Sequence, residues 1–509
     1  MRRFEIYLGL SLLFIIITTF LIGCGVQQGT GDQRLKDSVP LLRIAVGRDL
    51  YDGPDSRSFV HGSLHVWEGL TYLNEKLQPE GWLAESWQMG EGGRKWSFHL
   101  REGVLFHDGS PLTPEIVIAN ILRLKKNPKY DPFSLYQNLL SVYAIGKREI
   151  AFQLSQPSPN FPASINYFGS PVFQPDSFNE KGHVVRPMAT GPYRFEKNQD
   201  GVIHLRAQNA YRKGTPFFEA VEFWHIPDAE TRLNALRTGQ VDAVVDVGGI
   251  LPYQLTGIKR SDPIVVKKER VATTHYLLFN CQRPPFQTLS NRKWMISTLD
   301  RAGLVQFIVG EAGTVADSLL TPIAIGWYEA VFPKEASFDK GLPDTYGEEI
   351  SILLHSGTLQ RWPYKEISET IHAHLIRAGL RAKIRIEEAG SFKESLKRGD
   401  FDLAIHPFTL MTGEPEILFT WLGNVSPVAI GFKLKEVHGL IKKGRYETDR
   451  TERKKIYAKL QRWVSDNALL LPIYHDIAFY AHRDSIEGLK IDPLFRPNLT
   501  EVRRRVGNR

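Results

Sequence analysis

The sequence predicts an α/β protein with at least two α/β lobes, and three observations favour this fold class. Strand-like and helix-like patterns alternate in both halves of the chain. The 509 residues suffice for about three domains and for a large core without disulfide bonds. The composition, 42% hydrophobic and 24% charged, is that of a globular protein and excludes a mainly disordered or collagen-like chain.

Helix-end signals locate the elements of the first half. Thr113 is a good N-cap and Pro114 suits a first helical position, whereas Gly239 closes a later helix. The predicted elements are strands at 41–46 and 96–100, a helix from residue 114, a strand at 221–226, a helix at 229–238 and a strand at 241–245. The last three predict a βαβ unit with a right-handed crossover.

The second half repeats this alternation. Its predicted strands lie at 350–354, 382–386 and 401–405, and its predicted helices at 364–378 and 449–465. In the first of these helices Ile367, Ile371 and Leu375 share one face, as an amphipathic helix packed on a sheet requires. A second α/β lobe is therefore predicted.

The N-terminal residues indicate export. A basic start, an apolar stretch over residues 6–22 and the run LIGC at 21–24 resemble a bacterial lipoprotein signal. We expect residues 1–23 to be a signal peptide, Cys24 to carry lipid as the mature N-terminus, and residues 24–39 to be a flexible tether. The alternative is an uncleaved transmembrane anchor, since a span needs about 18–20 apolar residues. Either way the bulk of the chain lies outside the cytoplasmic membrane, attached to its outer face.

Charge and cysteine content limit the partners. The net charge is +8, but the dense basic run is confined to residues 503–505, so we expect no nucleic-acid partner. With Cys24 assigned to the lipid, Cys281 stands alone. No intrachain disulfide and no cysteine-based metal site are therefore expected.

The common enzyme signatures are missing. The sequence has no GxSxG elbow, no P-loop, no GxGxxG after a strand and no HExxH. We therefore expect no catalytic residues, no cofactor and no enzyme, although these absences alone do not exclude one.

Histidines are the remaining chemical lead. His61 and His65 are four residues apart, which on a helix would place both rings on one face, as a metal ion needs. Gly62 disfavours that helix, and the alternative is one solvated histidine and one packed against Trp67. His372 and His374 are two apart on a predicted helix and are expected to point to different faces.

Two candidates follow a predicted buried strand. His406 comes directly after the strand and is predicted to face a cleft, or alternatively to support a site from behind. The loop that contains Met411, Thr412 and Glu414 is rich in Gly and Pro, and such a loop can present a carboxylate to a cationic ligand group. The alternative for Glu414 is a cap on the next helix.

Two longer runs carry a family resemblance. LAESW at residues 83–87 and WSFHLREGVLFHDGSPLT at residues 96–113 resemble the family 5 extracellular solute-binding proteins of ABC importers, the oligopeptide, dipeptide and nickel-binding group. Shorter matches follow in the family's order: WEGL at 67–70, TGPY at 190–193, NAY at 209–211, TGQVD at 238–242, FN at 279–280 and LPIY at 471–474. The resemblance covers nearly the whole chain after the tether.

The resemblance implies a two-lobed periplasmic-binding-protein-like fold with an extra subdomain in lobe one and a hinged ligand cleft. Its parts would be lobe one at 40–279 with the subdomain at about 58–190, lobe two at 280–472, and a return to lobe one at 473–509. The hinges would be the crossovers near Asn280 and Ile473. The family further implies a monomer whose closed, ligand-bound form is recognised by an ABC permease with its ATPase.

For the ligand, the resemblance favours a peptide or peptide-like solute. Peptide binders of the family often hold the ligand's α-amino group with an Asp, and Glu414 occupies the matching place, preceded by Met411 and Thr412. This implies that a longer carboxylate side chain does the same here.

A nickel or metallophore chelate is the alternative ligand. Tyr51 and His61 could line the lobe-one wall for it, and His406 would be the next candidate. Thr409 stands where nickel binders of the family carry a Trp, and residues 169–172 lack their Arg, which weakens this alternative. A surface signalling receptor or a secreted hydrolase are the alternatives of another class.

Overall fold

The computed structural model describes residues 40–50, 64–126, 136–166, 170–324, 327–333, 347–425 and 434–505. The predicted site residues Cys24, Tyr51 and His61 lie outside these ranges. None of the helices within them is both long enough and apolar enough to span a bilayer.

The strands of the described residues are numbered in chain order. They are β1 (Leu41–Val46), β2 (Thr71–Leu73), β3 (Pro79–Gly81), β4 (Ala84–Gly90), β5 (Lys95–Leu100), β6 (Leu139–Ile145), β7 (Glu149–Leu154), β8 (Tyr193–Gln199), β9 (Val202–Ala207), β10 (Ala220–His225), β11 (Ala243–Val244), β12 (Ile264–Phe279), β13 (Gly313–Val315), β14 (Glu349–His355), β15 (Arg381–Glu387), β16 (Leu403–Thr409), β17 (Leu470–Arg483), β18 (Ile486–Glu487) and β19 (Arg503–Arg504).

The α-helices follow the same order. They are α1 (Pro114–Lys126), α2 (Phe161–Ser164), α3 (Ala229–Thr238), α4 (Pro252–Leu255), α5 (Leu289–Thr298), α6 (Arg301–Leu304), α7 (Ser356–Leu359), α8 (Tyr364–Arg377), α9 (Ala389–Arg398), α10 (Glu416–Val425), α11 (Leu434–Tyr446) and α12 (Arg450–Asp466). Short 3-10 turns lie at Glu91–Gly93, Pro175–Ser177 and Gly310–Ala312, and a π-helical turn at Val305–Val309.

One mixed sheet runs through both lobes. Within the described residues its strand order is β15-β14-β16-β12-β17-β11-β1-β10-β9-β8. The two long central strands, β12 and β17, pair antiparallel with each other over most of their length. At one end β12 also pairs with β16, and at the other β17 pairs with β11. The chain therefore passes between the lobes along these two strands, which are called the crossover strands below.

The lobe-one part of the sheet contains the predicted βαβ unit. Helix α3 begins after Asp228, whose carboxylate accepts a hydrogen bond from the Thr231 amide, and it ends at Gly239 with φ of 77°. The two strands that it connects, β10 and β11, both run parallel to β1 and lie on opposite sides of it. The crossover thus spans β1, because β1 occupies the position between them.

A separate four-stranded antiparallel sheet lies within the predicted extra subdomain. Its order is β4-β5-β7-β6, and it has its own hydrophobic core. Aromatic rings dominate this core, with the centroids of Phe98 and Phe152 at 5.5 Å and those of Phe152 and Phe161 at 5.0 Å. Trp96 and Phe98, which alternate along the strand predicted at 96–100, are both buried.

The parallel strands of lobe two are β14, β15 and β16, with helices packed on them. Strand β14 lies between β15 and β16 and is parallel to both. Helix α8 buries Ile367, Ile371 and Leu375, the face that the periodicity predicts. The domain boundaries themselves remain predictions.

Candidate ligand-binding cleft

A cavity of about 250 Å³ lies where strand ends of the two lobes meet. Lobe one contributes the loops after β1 and β11, and lobe two contributes the segment after β14. The lining residues include Gly47, Arg48, Asp49, Val247, Gln360 and Arg361. Ligands of open α/β sheets bind outside the carboxyl ends of the strands, so this cavity is the candidate site.

Asp246 holds the lobe-one side of the cavity together. Its carboxylate accepts hydrogen bonds from the amides of Gly47 at 3.0 Å, Arg48 at 2.9 Å and Val247 at 2.7 Å. It also accepts a hydrogen bond from Nε of Arg48 at 2.7 Å. Because the Asp246 side chain is only 1% exposed, this charge-assisted network fixes the Arg48 guanidinium firmly.

Arg361 brings a second guanidinium from lobe two. Burial lowers its pKa and the Arg48 cation lowers it further, whereas Asp246 raises it. Among the described residues, no group accepts a hydrogen bond from the Arg361 guanidinium. Asp49 also lines the cavity, but it is exposed and its charge is screened by solvent. Arg48 is already paired with Asp246, so Arg361 is the guanidinium of this lining that is left to bind an anionic ligand group.

The loops of the two lobes touch beside this cavity. Gly248 has φ of 67°, and a Cβ built on it would lie 2.4 Å from Cα of Arg361. Its carbonyl accepts a hydrogen bond of 2.9 Å from the buried Arg232, which also donates to the carbonyls of Ile226 and Pro227. Only a glycine allows so close an approach, so the two lobes are in direct contact at this point.

The predicted ligand loop also lies against lobe one. The Met411 carbonyl accepts a hydrogen bond of 3.0 Å from the side chain of Asn166, and the Met411 side chain packs on Trp82. Thr412, next to it, is 6% exposed. Gly413 has φ of 70°, and a Cβ there would meet the Leu77 carbonyl at 2.3 Å. The loop is therefore part of the contact between the lobes.

Glu414 forms an ion pair within lobe two. Its Oε2 lies 2.5 Å from a guanidinium nitrogen of Arg453 on α12, and its side chain is 12% exposed. Arg453 also donates a hydrogen bond to the side chain of Asn160. Burial raises the pKa of Glu414 to about 7, although Arg453 opposes the shift. Oε2 thus has a protein partner, and the predicted ligand contact of Glu414 remains a prediction.

His406 lies within β16 and not after it. Its ring packs between Trp421, with centroids 4.8 Å apart, and Phe392, at 6.0 Å. Burial lowers its pKa to about 4, so the ring is neutral at neutral pH. Its buried Nδ1 has no hydrogen-bond partner in the described residues. The strand extends past the predicted end because residues up to Thr409 pair with β12.

The structure also shows the surroundings of the other histidines considered in the sequence. His65 is buried in a turn with φ of 57°, and its Nε2 contacts the Pro497 carbonyl, so it is a packed core histidine and not half of a helical pair. His372 bonds the Ala382 carbonyl and His374 the Thr298 hydroxyl, so these two point apart as predicted. The described residues contain no group of three His, Cys, Asp or Glu side chains placed to hold a metal ion.

Sequence reasoning missed Arg48, Asp246 and Arg361. A usable signal was present, because Arg48 comes two residues after the first predicted strand and Arg361 comes seven residues after the strand predicted at 350–354. Searching the carboxyl ends of all predicted parallel strands for charged residues would have found both arginines.

Comparisons with known proteins agree with this architecture. A family model described as "Bacterial extracellular solute-binding proteins, family 5 Middle" matches residues 78–428, more than half of the chain. The dipeptide-binding protein of Escherichia coli (strain K12) is 24% identical over 471 residues, which cover 82% of this chain and 85% of that protein. The oligopeptide-binding protein AppA of Bacillus subtilis (strain 168) is 22% identical over 544 residues, covering 97% of each.

A solved structure extends the comparison to the fold. NikA from Brucella suis, in complex with Fe(III)-EDTA, matches with a TM-score of 0.83 at 20% identity, covering 92% of this chain and 100% of that chain. At this identity the likeness concerns the fold, and it confirms the predicted two-lobed α/β architecture.

Proposed function

The chain belongs to family 5 of the bacterial extracellular solute-binding proteins, and from this premise we propose that it captures a peptide or peptide-like solute. It would deliver this solute to an ABC permease that is driven by an ATPase. Curated relatives are named for dipeptide and oligopeptide binding. We expect the protein to act outside the cytoplasmic membrane, as a monomer held there by lipid on Cys24.

The Arg361 guanidinium carries the proposal. It lies in a cavity between the lobes and lacks a hydrogen-bond acceptor among the described residues, whereas the neighbouring Arg48 is already paired with Asp246. A carboxylate can accept two parallel hydrogen bonds from one guanidinium, and every peptide with a free C-terminus has one. The ligand's carboxylate would therefore complete the site.

Binding of the solute would favour closure of the two lobes. Arg361 belongs to lobe two and the Arg48–Asp246 pair to lobe one, so a ligand contacts both only when the lobes are close. A ligand shifts the equilibrium toward the closed form by its differential affinity for that form. The permease would recognise this closed form.

Uptake of a nickel or metallophore chelate is the second candidate, and the same arginine supports it. Organic chelators of metal ions also carry carboxylates, which Arg361 would bind in the same way. Since the described residues offer no three-ligand metal group, a metal would arrive with its own chelator. The two candidates share one chemistry and differ in the ligand.

A thermal-shift screen separates these candidates. The chain from residue 38 onward is mixed with pools of dipeptides to pentapeptides, or with Ni²⁺ plus histidine. A bound ligand at a hundredfold excess over Kd adds about 2.7 kcal/mol to the free energy of unfolding. We expect a rise in Tm with the peptides that is absent in Arg361→Met. A rise with nickel and histidine alone would replace the peptide assignment by chelate uptake.

The same incubation tests for catalysis. We expect no enzymatic activity, so the peptides recovered from the mixture should have unchanged masses. Cleaved peptides would instead favour a secreted hydrolase.

A further inference from the structure

A buried cluster connects Arg361 to the crossover strands. Trp362, the residue next to Arg361, donates a hydrogen bond of 3.0 Å from its indole Nε1 to Oδ2 of Asp476 on β17. Two residues further on, the hydroxyl of Tyr364 shares a hydrogen bond of 2.6 Å with Nδ1 of His275 on β12. The segment that carries Arg361 is thus bonded to both strands that join the lobes.

The cluster is closed by ring packing and by a contact between His275 and Asp476. The His275 ring stacks on Tyr474 with centroids 3.9 Å apart, and its Nε2 lies 3.5 Å from Oδ2 of Asp476. His275 is 0% exposed and Asp476 is 6% exposed. Burying a carboxylate is unfavourable unless it is hydrogen-bonded, so the bond from Trp362 is important for keeping Asp476 there.

The hydrogen bond between Trp362 and Asp476 lies next to the candidate cleft. A second, narrow cavity shares Arg361 with the first and is lined also by Gly248 of lobe one, by Trp362 of lobe two and by Asp476 of β17. The three parts of the molecule therefore converge at this point. A hydrogen bond is directional, so it fixes the backbone at Arg361 more narrowly than apolar packing does.

We propose that Trp362 and Asp476 are positioning residues, whose hydrogen bond aims the Arg361 guanidinium at the ligand. Their role is to hold the segment after β14 against β17, so that Arg361 faces the Arg48–Asp246 pair across the cavity. This inference rests on the proposed function, because it assigns Arg361 to the ligand's carboxylate.

The test measures how strongly the protein distinguishes a carboxylate from an amide. The full-length protein in detergent is titrated with an equimolar tripeptide pool and with the same pool amidated at the C-terminus. The readout is the ratio of the two affinities. Trp362→Phe keeps an aromatic ring and removes the hydrogen-bond donor to Asp476. We expect it to lower this ratio about tenfold, because a misplaced Arg361 loses one charge-assisted hydrogen bond to the ligand's carboxylate.

Two variants separate positioning from general stability. Asp476→Asn keeps an oxygen acceptor for the indole, so the ratio should stay within about threefold of the wild type. Trp96→Phe removes a partly buried indole hydrogen bond, the one to the Ser158 carbonyl in the subdomain, and should lower Tm without changing the ratio. If Trp362→Phe does not fold, Asp476→Val removes the same bond from the acceptor side.

Each outcome decides a different claim. A ratio that collapses in Arg361→Met but is unchanged in Trp362→Phe would overturn the positioning role and leave the proposed function standing. A ratio unchanged in Arg361→Met would overturn the carboxylate site, and the positioning role with it. The inference is supported if the affinity ratio falls in both Arg361→Met and Trp362→Phe while Asp476→Asn and Trp96→Phe keep a ratio near that of the wild type.

Discussion

Gly248 is a point of close approach between the two lobes beside the cavity. Its φ is 67°, and a Cβ would lie 2.4 Å from Cα of Arg361. We predict that Gly248→Ala weakens binding of the peptide pool about tenfold or more, because the lobes cannot close fully. Calorimetric titration measures this change.

A second glycine provides the control. Gly103 also has a left-handed backbone, with φ of 71°, but nothing lies within 4 Å of the position that a Cβ would take there. Both alanine variants should lose about 1–2 kcal/mol of unfolding free energy from backbone strain. Equal effects of the two variants on binding would show that Gly248 does not govern closure.

Glu414 links a stability prediction to a ligand prediction. Since its Oε2 accepts a charge-assisted hydrogen bond from the buried Arg453, Glu414→Gln should lower the free energy of unfolding by about 1–3 kcal/mol. If Glu414 also holds the ligand's α-ammonium group, the variant should bind free peptides more weakly and N-acetylated peptides as the wild type does. Equal affinity changes for both kinds of peptide would exclude that contact.

At the scale of single elements, local signals predicted most of the fold. Strand β1 and helix α3 have the predicted bounds, because both the strand pattern and the helix-capping residues depend only on neighbouring positions in the sequence. Strand β11 is shorter than predicted, since its length depends on the partners β1 and β17. Strand β16 continues through Pro407, although a proline has no amide N–H to donate. Strand β14 pairs with β16 only up to Ala404, so beyond that residue no amide of β16 is needed for a hydrogen bond to β14.

The candidate site was harder to predict for a related reason. Its two arginines are more than 300 residues apart in the sequence and meet only because the sheet places the ends of β1 and β14 at one cleft. Glu414 and His406 were more conspicuous in the sequence, but pairing with Arg453 and aromatic packing account for much of their surroundings. Charge partners across a fold are not visible in local patterns.

The four-stranded subdomain sheet should behave as a stability element. Phe98 is fully buried among Trp96, Phe152 and Phe161. Phe98→Ala is predicted to lower the free energy of unfolding by about 3–5 kcal/mol through the cavity it leaves. Phe98→Leu should cost less than about 1.5 kcal/mol. Urea unfolding measures both.

Ligand affinity checks that this effect is confined to the element. The ring cluster around Phe98 belongs to a core separate from the one beneath the cleft. The folded fraction of both variants should therefore bind the peptide pool as the wild type does. A parallel loss of affinity would mean that the subdomain shapes the cleft directly.

For the whole molecule, buried histidines set the response to acid. Burial lowers the pKa of His65 to about 3 and those of His107 and His406 to about 4. Between pH 6.5 and 4 the unfolded chain therefore binds protons that the folded protein does not, and stability falls as the pH falls. Glu414 opposes this trend, since its pKa of about 7 gives the folded protein an extra proton there.

These shifts set the size of the expected pH effect. From pH 7 to pH 5 each of the three histidines removes roughly 2 kcal/mol of stability and Glu414 restores about as much as one of them. These four groups together then contribute a net loss of about 3–4 kcal/mol. The pKa values of His275, His355, His374 and His482 are also lowered by burial and add to this loss. Urea unfolding at the two pH values measures the total. Stability that is equal or greater at pH 5 would contradict the assignment of neutral buried histidines.

Calorimetric titration of Arg361→Met with the tripeptide pool tests the central claim most directly. In the unliganded protein the half-buried Arg361 cation is disfavoured by burial and by the Arg48 cation, so its removal should leave Tm unchanged or raise it. In the same variant, binding should weaken by about a hundredfold, because the ligand's carboxylate loses a bidentate partner. Undiminished binding would contradict the assignment of this cleft to an anionic solute.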